Sequence, residues 1–176
     1  MAKKTKIISI LNQKGGVGKT TTTINLATAM VSFDKKILIV DLDPQGNAST
    51  GLGIDNQKRE NNIYKALTYQ NTIDDCILET LIPNLNIIPS TVDLSAAEIE
   101  LSKIKKREHV LKKVFQELEE DFDYILIDCP PSLGLLTINA MVSSAEIIVP
   151  LQCEFYALEG LSQLLKTIEL IKSNLN

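Results

Sequence analysis

The sequence predicts an α/β protein with a mostly parallel sheet flanked by helices, and three observations carry that reading. Short apolar runs of strand character alternate with stretches of helical period along the 176 residues. A glycine-rich loop, residues 14–21, joins the first such run to the first helical pattern. Two further runs end in aspartate, at Asp41 and Asp128, which puts carboxylates on the sheet edge where parallel α/β folds bind ligands.

The first strand is residues 7–11, with Ile7, Ile8, Ile10 and Leu11. Residues 20–33 carry Ile24, Leu26, Ala27, Met30 and Val31 near helical spacing. Between them stands K-G-G-V-G-K-T-T. A helix opening there has N–H groups without intrahelical partners at the positive end of its dipole, which suits phosphate oxygens. Gly15, Gly16 and Gly18 keep the concavity clear of side chains, and Val17 and Thr21 complete the loop. In this arrangement Lys19 reaches the β- and γ-phosphates and the Thr20 hydroxyl ligates Mg²⁺. The loop departs from the common G-x-x-x-x-G-K-[ST] template, because Gln13 stands where its first glycine belongs and an extra lysine, Lys14, precedes Gly15.

The second strand, residues 36–40, runs into Asp41-Leu-Asp-Pro-Gln-Gly-Asn47. Asp41 and Asp43 point the same way if both are extended. One can organise Mg²⁺ and its waters while the other orients the water that attacks phosphorus; the alternative for an Asp before Pro is a simple turn. Residues 61–69 suggest a short helix, 72–77 a turn and 85–89 a strand, and Ser95 with Glu98 forms a capping-box pattern. Over residues 103–123 a basic half precedes an acidic half, and Val110, Leu111, Val114, Phe115, Leu118 and Phe122 mark the buried face of one amphipathic helix. Its charges solvate the outer face; DNA contact by the basic half is the alternative. His109 reads as a surface residue. Residues 123–128 form an apolar run into Asp128, a Walker B pattern that holds Mg²⁺, and Pro130 and Pro131 stop the strand where a loop would sense the γ-phosphate. Residues 146–152 read as a last strand, followed by a helix with an apolar stripe at Leu158, Leu161, Leu164, Leu165, Ile168 and Ile171.

Composition fits one domain over residues 1–176, with 44% hydrophobic residues, 23% charged and a net charge of −4 that does not advertise nucleic-acid binding. Three cysteines, without a C-x-x-C pair, argue against a disulfide framework and for a reducing cytoplasm. The apolar run behind the basic N-terminus is too short for a signal peptide, and no stretch approaches the ~20 apolar residues of a membrane span.

The K-G-G-x-G-K-T-T loop resembles the deviant Walker A loop of the ParA/MinD family of P-loop ATPases, and D-L-D-P-Q-G-N together with residues 149–163 is similar to its ParA (Soj-like) branch. The resemblance implies a Mg²⁺-dependent ATPase that dimerises with ATP between its subunits. Its work would be chromosome or plasmid partitioning with a ParB-type partner on non-specific DNA, in the cytoplasm at the nucleoid and away from membranes. Lys14, Lys19 and Asp43 would be catalytic, Lys14 acting across the dimer and Asp43 positioning the water. Residues 14–21 would bind the nucleotide, and Thr20, Asp41 and Asp128 the metal. The family ordinarily continues past residue 176 with the adenine-contacting loop and the main DNA-binding residues, so the resemblance also implies a C-terminal truncation. A non-catalytic nucleotide-binding remnant and a MinD-like membrane-cycling ATPase are the alternatives. An iron–sulfur cluster, as in the iron-protein relatives, lacks a second cysteine near Cys129.

Overall fold

The computed structural model describes residues 5–153 and 157–175. Six strands, β1 (Lys6–Ile10), β2 (Ile37–Asp41), β3 (Leu78–Glu79), β4 (Leu85–Ile88), β5 (Tyr124–Asp128) and β6 (Glu146–Ile148), form one sheet in the order β3-β4-β2-β5-β1-β6. Every pairing is parallel except β3 with β4. A parallel sheet is covered on both faces, which is why β2 (ILIVD) is buried at every position. Alternate side chains divide between two cores. Ile37 and Ile39 join Ile8, Ile10 and Leu126 under α1 (Lys19–Val31) and α2 (Asn47–Gly51). Leu38 and Val40 join Ile125 and Ile127 on the other face, with α3 (Ile63–Leu67), α4 (Leu94–Leu101), α5 (Val110–Gln116), α6 (Leu135–Ser143) and α7 (Ala157–Asn174). Ile39 and Leu126 have no exposed surface, so truncating either to Ala should cost about 2–5 kcal/mol.

Three sequence expectations change. The stretch 103–123 is not one helix: Lys106 takes a left-handed φ of 58°, and only Val110–Gln116 is α-helical. The acidic residues after it lie in the connection to β5, tied by Asp74, whose carboxylate accepts from the Glu119 and Glu120 amides. The capping box does not form either. Helix α4 starts at Leu94 without a side-chain cap, and Glu98 instead reaches the start of α6, where its Oε1 accepts from Leu136 N at 3.5 Å. The final strand is shorter than expected and ends at Ile148. Pro150 has no N–H to extend the ladder, and its carbonyl accepts from Asn12 Nδ2 at 2.8 Å. His109 is half-buried, its Nε2 lying 3.2 Å from the Leu175 carbonyl. Of the expected C-terminal helix, residues 154–156 and the side chains of Ala157, Leu158 and Glu159 lie outside the described residues. No helix among the described residues is long and apolar enough to cross a membrane.

Candidate active site

The parallel order brings the C-terminal ends of β1, β2, β5 and β6 to one edge. Beyond β1 the loop curls back on left-handed Gly16 (φ 73°) and Gly18 (φ 89°) before α1 begins at Lys19. Both values fall where L side chains are strained, so glycine is required there. A Cβ built on Gly15, Gly16 or Gly18 meets nothing within 4 Å, so the space in front of the loop is open. The first intrahelical bond is Thr22 N to Gly18 O at 2.8 Å, which leaves the earlier N–H groups of α1 for an anion.

That space is a cavity of about 360 Å³ lined by Gly15, Gly16, Gly18, Lys19, Thr20, Thr21, Asp43, Gln45, Asn47 and Pro131. The structure thus gathers most of the expected loop with Asp43 and the loop after β5. Lys19 is 8% exposed, and its Nζ donates to the Lys14 carbonyl at 3.2 Å, an oxygen that a phosphate can replace. Lys14 is exposed, and with Val17 it lines a neighbouring cavity of about 290 Å³ together with Asn12, Gln13, Leu151, Gln152 and Gly160. Gln152 Nε2 donates to Gly16 O at 3.1 Å and bridges the two cavities.

The three aspartates are placed differently. Asp43 Oδ1 accepts from Gln45 N at 2.9 Å, and no described hydrogen bond occupies Oδ2. Asp128 is fully buried. Its Oδ1 accepts from the Thr23 hydroxyl at 3.2 Å, while Oδ2 has no hydrogen-bond partner. Burial pushes its carboxyl up from the ordinary 3.8 to about 7, the Thr20 and Thr23 hydroxyls pulling the other way and the Asp41 charge adding to the rise. Asp41, expected in the metal set, is also fully buried, and neither it nor Asp128 is among the residues lining the cavity. Its Oδ2 accepts from Ser49 N at 2.8 Å and Ser49 Oγ at 2.6 Å, and Oδ1 from Asp43 N at 3.3 Å. In this geometry Asp41 organises the turn after β2, with a donor on each of its oxygens; burial still raises its carboxyl.

Among the described residues no three His, Cys, Asp or Glu side chains converge as a metal site. A cation here would draw most of its ligands from phosphate and water, which suits Mg²⁺. The orphaned Asp128 oxygen and the open glycine cradle fit such a cation bound with a triphosphate.

Comparison with known proteins agrees with the geometry. A family model described as an AAA domain matches residues 5–176. The sporulation initiation inhibitor protein Soj of Bacillus subtilis is 52% identical over 171 residues, covering 97% of this chain and 68% of that protein. The chromosome partitioning protein ParA of Myxococcus xanthus is 51% identical over 171 residues, covering 97% of this chain and 60% of that one. The chain belongs to the ParA/Soj family. It therefore spans about two-thirds of the length of these relatives. Among solved structures, a cobyrinic acid a,c-diamide synthase from Mycobacterium smegmatis with bound ATP analog and magnesium has a TM-score of 0.93 at 38% identity, covering 98% of this chain and 70% of that one. A plasmid partition protein from Borrelia burgdorferi has a TM-score of 0.87 at 34% identity, covering 98% and 75%.

Several polar residues of this ParA-type site escape sequence reasoning. Thr23, one turn after Lys19, holds Asp128; the run Thr20–Thr23 gave no sign of which threonine faces the sheet. Gln45 and Asn47 stand inside the D-P-Q-G-N motif and line the cavity. Ser49 and Gln152 act through contacts distant in sequence, and only the assembled fold shows them.

Proposed function

We propose that this chain is the nucleotide-binding part of a Mg²⁺-dependent ATPase that dimerises on ATP and serves chromosome or plasmid partitioning. The observation that carries the reading is the single cavity shared by the glycine loop, Lys19, Thr20 and Asp43. In it Lys19 and the loop amides hold the β- and γ-phosphates. Mg²⁺ would be held by Thr20 and, through water, by Asp128, and it supplies positive charge where phosphoryl transfer develops negative charge. The unoccupied Oδ2 of Asp43 takes a hydrogen bond from a water and aims it in line at the γ-phosphorus. Asp41 holds the turn on which Asp43 rides. The exposed Lys14 serves the nucleotide of a second copy, so that turnover depends on dimerisation, and a ParB-type protein and non-specific DNA are the partners. The setting is the cytoplasm, at the nucleoid. The partitioning relatives match more closely in sequence than the cobyrinic acid a,c-diamide synthase, 52% and 51% against 38%, which favours partitioning over amide synthesis.

The test is ATP titration, phosphate release and sedimentation of the 176-residue chain with MgCl₂. Nucleotide binding with Mg²⁺-dependent phosphate release is expected. Lys14→Ala should keep nucleotide binding and lose ATP-dependent dimerisation and hydrolysis. Binding without any phosphate release would instead mark a nucleotide-binding remnant, and absence of binding would refute the site.

A further inference from the structure

Arg59 is 5% exposed and lies outside the loop, the cavity and every motif read from the sequence. Its guanidinium has five N–H donors, and the structure uses all of them. Nε donates to Ile54 O at 3.0 Å; Nη1 to Gly46 O at 3.4 Å and Ser90 O at 3.3 Å; Nη2 to Ile54 O at 2.6 Å and Thr50 Oγ1 at 2.8 Å. One side chain thus ties both ends of α2 to the backbone just past β4.

What it clamps is the turn that carries Asp43. Gly46 N donates to the Asp43 carbonyl at 2.9 Å and closes that turn. Thr50 Oγ1 accepts from Arg59 and donates to Gly46 O at 3.0 Å, so the guanidinium and the hydroxyl converge on one carbonyl. Gly46 is left-handed at φ 62°, and a Cβ there would collide with Arg59 Nη1, so this close seat exists only because the turn has glycine at that position. The turn's other tie is the Asp41–Ser49 pair, and Ser49 Oγ accepts from Ser90 N at 3.1 Å. Ser90 therefore spends both its N–H and its C=O on this turn. Lysine at position 59, with three donors on one atom, cannot reproduce a five-bond fork.

We propose that Arg59 is a positioning residue for hydrolysis, setting the turn that aims the Asp43 carboxylate into the cavity. The proposal rests on the functional reading above. A small displacement of a catalytic group costs rate far more than it costs binding when the phosphates are held elsewhere, by the loop and Lys19.

The experiment measures ATP·Mg²⁺ affinity, single-turnover phosphate release and thermal midpoint for the parent, Arg59→Lys, Thr50→Val, Asp43→Ala and the Arg59→Lys/Asp43→Ala double variant. Arg59→Lys is expected to keep nucleotide affinity and slow hydrolysis about ten-fold. Thr50→Val, nearly isosteric, removes one contact of the fork together with the hydroxyl's own bond to Gly46 O, and should slow it about three-fold. In the Asp43→Ala background Arg59→Lys should change nothing further, because an effect exerted through Asp43 has no carrier left. Hydrolysis at the parental rate in Arg59→Lys, or an equal slowing with and without Asp43, overturns the proposal and leaves Arg59 a fold-stabilising residue. If Arg59→Lys does not fold, Thr50→Val decides by the same comparison against Asp43→Ala. A parent that binds ATP and releases no phosphate overturns the functional reading and this proposal with it; a parent that hydrolyses while Arg59→Lys matches it overturns the proposal alone.

Discussion

The ends of β2 and β5 lie side by side, Asp41 opposite Asp128 in the parallel register, and both carboxylates are fully buried. Residue type, strand position and burial are the same, yet their surroundings differ. Asp41 receives Ser49 and Asp43 as donors on its two oxygens, while Asp128 receives Thr23 on Oδ1 and, among the described residues, no hydrogen bond on Oδ2, the Thr20 hydroxyl being near enough only to lower its pKa. A carboxylate whose oxygens are spent is a structural anchor, whereas one buried with an orphaned oxygen needs a cation, a water or a proton. Strand-end position alone thus does not tell a carboxylate that holds a turn from one with an oxygen left over.

The largest expected effect calibrates this pair from outside it. Lys19→Ala should lower ATP affinity about 100-fold, the scale of a lost charge-assisted contact to phosphate, read by nucleotide titration. Unchanged affinity would mean that the cavity is not the phosphate site. Next comes Asp128→Asn, which should cut the Mg²⁺-dependent part of nucleotide affinity about ten-fold while the nucleotide-free protein melts no lower than the parent. Asp41→Asn should do the reverse. An amide nitrogen cannot accept from Ser49, so stability should fall by about 1–3 kcal/mol with the Mg²⁺ dependence kept. Equal Mg²⁺ sensitivity in the two variants would erase the distinction between the strand ends.

A smaller effect is a pH slope. Asp128 titrates near 7 in the fold against 3.8 ordinarily, so between those values the native state holds a proton that the unfolded chain has released. Stability of the nucleotide-free protein should therefore be greatest at the acid end of that window and fall as pH rises towards 7. Thermal melts at pH 5.5 and 7.5 should show the lower midpoint at pH 7.5. Asp128→Asn should remove much of the difference, leaving the part due to Asp41, which burial also raises. A midpoint that rises with pH would contradict the burial of these carboxylates.

How much of this was legible depended on range. The phosphate loop is a local feature, and its glycines, Lys19 and Thr20 line one cavity. The strands announce themselves because a doubly covered sheet needs near-continuous apolar runs. What stayed hidden was set by contacts distant in sequence. Nothing near Arg59 names Ser90 as its partner, and nothing near Glu98 points to α6. Asp41 and Asp128 read alike because a sequence shows residue types at strand ends and not the donors that other segments bring to them. The helix predicted over residues 103–123 is cut at two places that apolar periodicity does not register, left-handed Lys106 before α5 and the end of α5 at Gln116, beyond which Asp74 takes the Glu119 and Glu120 amides.

The proposed function requires one cavity to bind the triphosphate through the loop and hydrolyse it through Asp43. Paired measurement of ATP·Mg²⁺ affinity and single-turnover phosphate release in the parent and Asp43→Ala tests it most directly. Unchanged affinity and a rate lower by about ten-fold or more are expected. Phosphate release at the parental rate would contradict it.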